Sequence, residues 1–135
     1  MLPIEPSALG FGSEWYKPAV ENAVAYRLPS NHHVRMVSGP YFLMTKLDAF
    51  DARGGGDYLL SHDIEDIVAV LDGRPTIVEE VAQADPDLAQ AISERFDALL
   101  RDERFVDAVS GHLPSDQASQ ARAAYVLDRI RKLAN

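Results

Sequence analysis

The residues best suited to chemistry in this 135-residue chain lie between Lys46 and Asp66. They read Lys46-Leu-Asp-Ala-Phe-Asp-Ala-Arg53, then Gly54-Gly-Gly56 and Asp57, then Ser61-His-Asp-Ile-Glu-Asp66. Lys46 and Arg53 stand close to two helical turns apart, so both cations project from one side of their helix. Asp63 and Asp66 have i,i+3 spacing and share a face of the next helix. Two cations suit a phosphate chain, and two carboxylates suit a divalent cation or a proton. A basic edge near an acidic edge across the glycine turn therefore suits a nucleotide phosphate with a bound divalent cation. A plainer account competes. Carboxylates in a first helical turn gain roughly 0.3–1 kcal/mol from the macrodipole, and exposed ion pairs gain about 0–1 kcal/mol. The three glycines resist it, because a flexible turn joins two helices at a cost unless backbone must approach something closely.

The elements that carry these residues follow from apolar spacing and turn residues. Pro40 sits in the first turn of a short, half-buried helix with Leu43, Leu47 and Phe50 as its stripe, and the glycine triplet ends it. Ser61 caps a second helix that turns Ile64, Ile67, Val68 and Leu71 inward and stops at Gly73. Pro75, Thr76 and Glu79 open a third, with Thr76 and Glu79 at capping-box spacing. Asp85-Pro86 opens a longer helix with Leu88, Ile92, Phe96 and Leu99 or Leu100 on one face. Pro114-Ser115 opens the last, with Ala121, Leu127, Ile130 and Leu133 spaced for burial. Residues 1–40 hold five of the eight prolines and so read as loop and strand rather than helix. There, 24–29 and 33–38 are β-favouring runs around the polar turn Ser30-Asn31-His32, which suggests a hairpin. Residues 14–23 read as a helix or as an irregular approach to it. The expected class is α+β, helix dominant: a short β-hairpin near the N-terminus packed on a cluster of four to five helices. The expected organisation is a single domain over 1–135, with a loop- and strand-rich part at 1–40 and a helical part at 41–135.

Composition narrows the function classes. With 47% hydrophobic and 25% charged residues, the chain is long and apolar enough to bury one core. A formal charge of −8 opposes sequence-independent binding to nucleic acid. The lack of cysteine excludes disulfides, thiolate metal sites and cysteine nucleophiles. No apolar run approaches the roughly 18 residues of a spanning helix, and Met1-Leu-Pro-Ile-Glu-Pro lacks the order of a signal peptide. These features lead to the expectation of a soluble cytoplasmic protein with no membrane partner.

The run Tyr41-Phe-Leu-Met-Thr-Lys46-Leu-Asp-Ala-Phe50, then Arg53-Gly, Asp57 and Ser61-His-Asp-Ile-Glu-Asp-Ile67, resembles the second half of nucleotidyltransferase-like proteins. These are related to the AbiEii/AbiGii toxins of bacterial abortive-infection and toxin–antitoxin systems. The resemblance covers about residues 24–80 and fades in the C-terminal helices. It implies nucleotidyl transfer from a nucleoside triphosphate with Mg²⁺. Lys46 and Arg53 would hold the phosphates. Asp63 and Asp66 would supply the acidic catalytic motif, with Asp63 as a metal ligand. A cognate antitoxin or a second copy of the chain is the implied protein partner.

The family's earlier half carries a Gly-Ser turn followed by two carboxylates one residue apart on a strand. Here Gly12-Ser13 is followed by Glu21-Asn22-Ala23, which lacks the second carboxylate, and Asp85-Pro-Asp87 opens a helix instead. The expectation is a portion of a longer protein, or a shortened homologue, that is inactive alone.

Two other readings compete. One is a non-enzymatic module that binds a nucleotide or a protein. The other is an HD-type metal phosphohydrolase using His33, His62-Asp63 and Asp107 or Asp128, although His33 falls on a strand and that fold is wholly helical. Serine hydrolase and Rossmann chemistry lack their motifs, since there is no Gly-x-Ser-x-Gly and Gly10-Phe-Gly12 lacks a third glycine.

Overall fold

Ser38-Gly39-Pro40 starts the helix around which the others pack. In the computed structural model, which describes residues 2–4, 18, 24–27, 33–53 and 57–135, α1 spans Gly39–Ala52 with Pro40 in its first turn. There the missing proline N–H costs nothing. The sequence suggested a half-buried helix with one stripe. Instead Phe42, Leu43, Met44, Thr45, Lys46, Leu47, Ala49 and Phe50 are all buried. The reason is position: α1 has neighbours on several sides, and a helix so placed is covered nearly all round. Thr45 satisfies its hydroxyl by donating to the Phe42 carbonyl at 3.0 Å.

The helices that surround α1 are set by their caps. Helix α2 spans His62–Gly73, and the Ser61 side chain accepts the Ile64 N–H at 3.1 Å. Helix α3 is Ile77–Ala82. Its expected capping box does not form. The Thr76 hydroxyl donates to Glu80 at 3.1 Å instead of capping the helix. Helix α4 is Pro86–Leu100, with the Asp85 carboxylate accepting the Asp87 N–H at 2.9 Å.

Helix α5, Glu103–Gly111, was not anticipated; Asp102 caps it and Phe105 and Val109 bury one turn apart. The single last helix expected from Pro114 is two, α6 (Gln117–Ala121, capped by Asp116) and α7 (Ala123–Leu133), divided at Arg122. That break leaves Ala121 exposed, while Val126, Ile130 and Leu133 reach the core. The described residues thus hold seven helical segments rather than four or five, and the fold is helix dominant. Helix α1 packs against α2, α3 and α4, and α7 packs against α2, α3, α4 and α5. One apolar cluster runs through all of them except α6.

The strands β1 (Leu2–Ile4), β2 (Val24–Arg27) and β3 (His33–Val37) form a sheet in the order β1-β3-β2. Both pairings are antiparallel, with Pro3 opposite Met36 and Ala25 opposite Arg35. Pro3 lies on an edge strand, where its lack of an N–H is tolerated. Val37 joins the core and β1 touches α1. The turn expected at Ser30-Asn31-His32 lies outside the described residues, as does the stretch 14–23 apart from Pro18.

The α2–α3 corner is closed by a bidentate pair. Arg74 Nε and NH2 donate to Glu80 Oε2 and Oε1 at 2.6 and 2.7 Å. Gly39 lies under it, and a Cβ there would meet Ile77 Cδ1 at 2.7 Å, so a larger residue would require the buried Ile77 side chain to shift. The Arg74 guanidinium holds the Glu80 carboxyl below its ordinary value, against the opposing effect of partial burial. A lowered carboxyl contributes stability that is present above the unfolded-state value and lost as pH falls through the folded one. Urea stability is therefore expected to drop below about pH 4.5, the ordinary range for Glu, and Glu80→Gln is expected to flatten that slope. A Glu80→Gln profile parallel to wild type would refute this.

Candidate functional site

All four residues singled out in the sequence meet on the edge where α1 packs against α2. Arg53 follows the last turn of α1, and its NH1 donates to both Asp63 oxygens at 2.7 and 2.6 Å. Lys46 Nζ lies 2.7 Å from Asp66 Oδ2. The earlier cation pairs with the later carboxylate, as two helices running in opposite directions require. Cations and carboxylates therefore interleave as two ion pairs instead of forming separate basic and acidic edges.

The two pairs differ in which partner is buried. The Asp63 side chain is 3% exposed and that of Arg53 47%. In the second pair Lys46 is the buried member, at 10%, and Asp66 is 45% exposed. The Lys46 stem lies in the helix packing, and its ammonium sits 5.5 Å from the centroid of the Phe42 ring, within reach of a cation–π attraction. Ser61 and the first turn of α2 place Asp63 near the helix N-terminus, where the macrodipole favours a carboxylate.

Both Asp63 oxygens are directed at Arg53, so ligation of a metal by Asp63 requires the guanidinium to release it. Among the described residues no group of three His, Asp or Glu side chains is placed to hold a metal ion. As arranged, these donors fit ion pairing rather than Mg²⁺. The residues of the phosphohydrolase reading are dispersed. His62 is 90% exposed beside Glu65. Asp63 is turned to Arg53, Asp128 pairs with Lys132 at 3.0 Å, and Asp107 is exposed on α5. Of the earlier-half positions, 12–13 and 21–23 lie outside the described residues, and Asp85 serves as a helix cap.

A second set of polar residues, which the spacing of the sequence did not reveal, fixes the far side of the turn. Asp57 Oδ1 accepts the N–H groups of Leu59 and Leu60 at 3.1 and 3.0 Å. The Tyr58 ring stacks on Phe50 and meets Phe105 edge-on, with centroids 5.4 and 5.7 Å away. Its hydroxyl donates to Asp102 at 2.8 Å, and His112 Nε2 lies 2.6 Å from its carbonyl oxygen. Burial, and then the Asp102 carboxylate, pushes the Tyr58 phenol up. Hydrogen bonds from Arg104 and then Tyr58 pull the Asp102 carboxyl well down. An open cleft of about 350 Å³ is bordered here by Asp57, Leu59, Arg104 and Asp107. Arg95 of α4 bridges Asp48 and Asp51 of α1 at 2.7 Å each, and Asp51 and Arg95 border one pocket with Tyr58. Asp57 caps a turn of its own neighbours, but the polar partners of Tyr58, Asp102 and His112, lie more than forty residues away, beyond any local pattern.

No family model, curated protein or solved structure matches the chain. Among the described residues, no helix is long and apolar enough to cross a membrane.

Proposed function

We propose that this chain is the helical half of a nucleotidyltransferase-like protein and that its α1–α2 edge binds the phosphate chain of a nucleoside triphosphate. The observation that carries the reading is the burial of Lys46. Its side chain is nine-tenths buried and ends in a pair with a half-exposed carboxylate, an interaction worth little by itself. A lysine kept there at the end of a packed stem is explained by an anion that it must meet. Arg53, half exposed while it holds Asp63, borders the same edge and would lie beside the phosphates.

Phosphoryl and nucleotidyl transfer depend mainly on positioning and on cationic stabilisation. In this arrangement Asp63 and Asp66 orient the two cations, and no step is assigned to Mg²⁺ through them. With both Asp63 oxygens engaged, binding without turnover by this chain alone is the form of the reading that the geometry favours. The same reading has a cytoplasmic protein whose macromolecular partner is an antitoxin or a second copy of the chain.

Calorimetric titration with nucleoside triphosphates tests it. Binding is expected in wild type and is expected to weaken by roughly 10–100-fold in Lys46→Met, the loss of one charge-assisted contact. Equal affinity in the two proteins would remove Lys46 from the site and end the proposal.

A further inference from the structure

The segment after the glycine triplet presents apolar side chains on a backbone that is tied down. Leu59 and Leu60 are 55% and 76% exposed, and they are two of the three large exposed hydrophobic residues among those described. Single exposed leucines are ordinary, but two in succession beside a cleft form a patch. Asp57 Oδ1 accepts both of their N–H groups, which satisfies the backbone donors of the turn. Tyr58 anchors the same segment by stacking on Phe50, donating to Asp102 and meeting His112 through its carbonyl oxygen. Leu59 is seated over Gly111, where a Cβ would meet Leu59 Cδ1 at 2.5 Å. A segment held in this way gives up little backbone freedom when it is covered, which favours binding.

The cleft beside Leu59 supplies the rest of the surface. Tyr58 and Ala108 contribute to its walls, and Asp57, Arg104 and Asp107 are its charged border. The Arg104 guanidinium is already engaged by Asp102, with Nε and NH2 donating at 3.2 and 2.9 Å. Among the described residues neither Asp57 nor Asp107 is paired with a cation, so the border keeps an uncompensated negative charge. We propose that Leu59, Leu60 and this cleft form a docking surface for a cationic, amphipathic segment of another protein. An apolar side chain of the partner enters the cleft, and flanking Lys or Arg side chains meet Asp57 and Asp107. Charge decides the class of partner. The border and the formal charge of −8 repel an anionic lipid surface, which exposed leucines could otherwise enter. The proposal is independent of Lys46 and of phosphate binding.

Random peptides displayed on phage are selected on the wild-type chain and counter-selected on Leu60→Ser. The enriched sequences are expected to set a large apolar residue among lysines or arginines. A labelled synthetic peptide of that sequence, followed by fluorescence anisotropy, is expected to bind Leu60→Ser about tenfold more weakly than wild type. Asp57→Asn combined with Asp107→Asn is expected to weaken it about threefold in low salt, and the difference is expected to vanish in high salt. The asparagine amide oxygen can still accept the Leu59 and Leu60 N–H groups, so this change removes charge and keeps the turn. Gly111→Ala, whose Cβ pushes Leu59 from its seat, is expected to weaken binding as well. It carries the apolar test if circular dichroism shows Leu60→Ser to be unfolded. Failure to enrich any sequence, or enriched peptides without basic residues, would overturn the proposal. So would affinity that ignores the apolar variants or the asparagine pair. A wild-type dimer in sedimentation that dissociates in Leu60→Ser would assign the surface to a second copy and overturn the cationic partner.

Discussion

Replacing Arg53 with alanine is expected to destabilise the protein by about 2–3 kcal/mol, a large effect for a residue half in water. The change removes little packing, but it takes the NH1 donor from both oxygens of Asp63, which is nearly out of contact with solvent. Breaking one member of a buried pair leaves an uncompensated charge, which usually costs about 3–5 kcal/mol. The position of Asp63 in the first turn of α2 recovers part of that through the helix dipole. Asp63→Asn is expected to cost less, about 1 kcal/mol, because the amide is neutral and the freed guanidinium can hydrate. Urea unfolding of both variants at neutral pH checks the order. If Arg53→Ala lies within 0.5 kcal/mol of wild type, or is milder than Asp63→Asn, the pair is not the fastening described above.

A larger loss is expected at the centre of α1. Leu43 is fully buried in the apolar cluster on a helix most of whose residues are buried. Leucine-to-alanine changes at such sites cost about 2–5 kcal/mol, with the higher values where surrounding elements cannot collapse into the void. With α2, α3 and α4 all braced on α1, Leu43→Ala is expected near the upper end, about 4 kcal/mol. Leu127 on α7 is only partly buried, and its truncation serves as a reference at about 1 kcal/mol. If Leu43→Ala and Leu127→Ala unfold at similar urea concentrations, α1 is not the central helix.

These two sites show where local pattern suffices and where it does not. Ser61, Asp85 and Pro86 act within one turn of chain, so their roles as helix starts were legible from residue type and offset alone. Lys46, Arg53, Asp63 and Asp66 could be singled out by charge and spacing. Which cation would meet which carboxylate depends on two helices packing in opposite directions, and that is tertiary information. The full burial of α1 was hidden because apolar spacing marks the strongest stripe and not the number of neighbours. Helix α5 has no proline at its start, and neither proline nor glycine marks the break at Arg122. The Tyr58–Asp102 bond joins residues too distant in sequence for any periodicity to connect.

The ionic fastenings of the α1–α2 edge are also short-range in the chain. The Arg53–Asp63 pair spans ten residues, and Lys46–Asp66 joins the same two consecutive helices. The long-range ties run elsewhere, from Arg95 to Asp48, from Arg122 to Asp72 and from Ser93 to the Ala134 carbonyl. Proteins open in contiguous cooperative units whose free energies range from near zero up to that of global unfolding. Local parting of the α1–α2 edge thus belongs to a low rung of that ladder, since it can open one helical corner while the ties between distant segments stay closed.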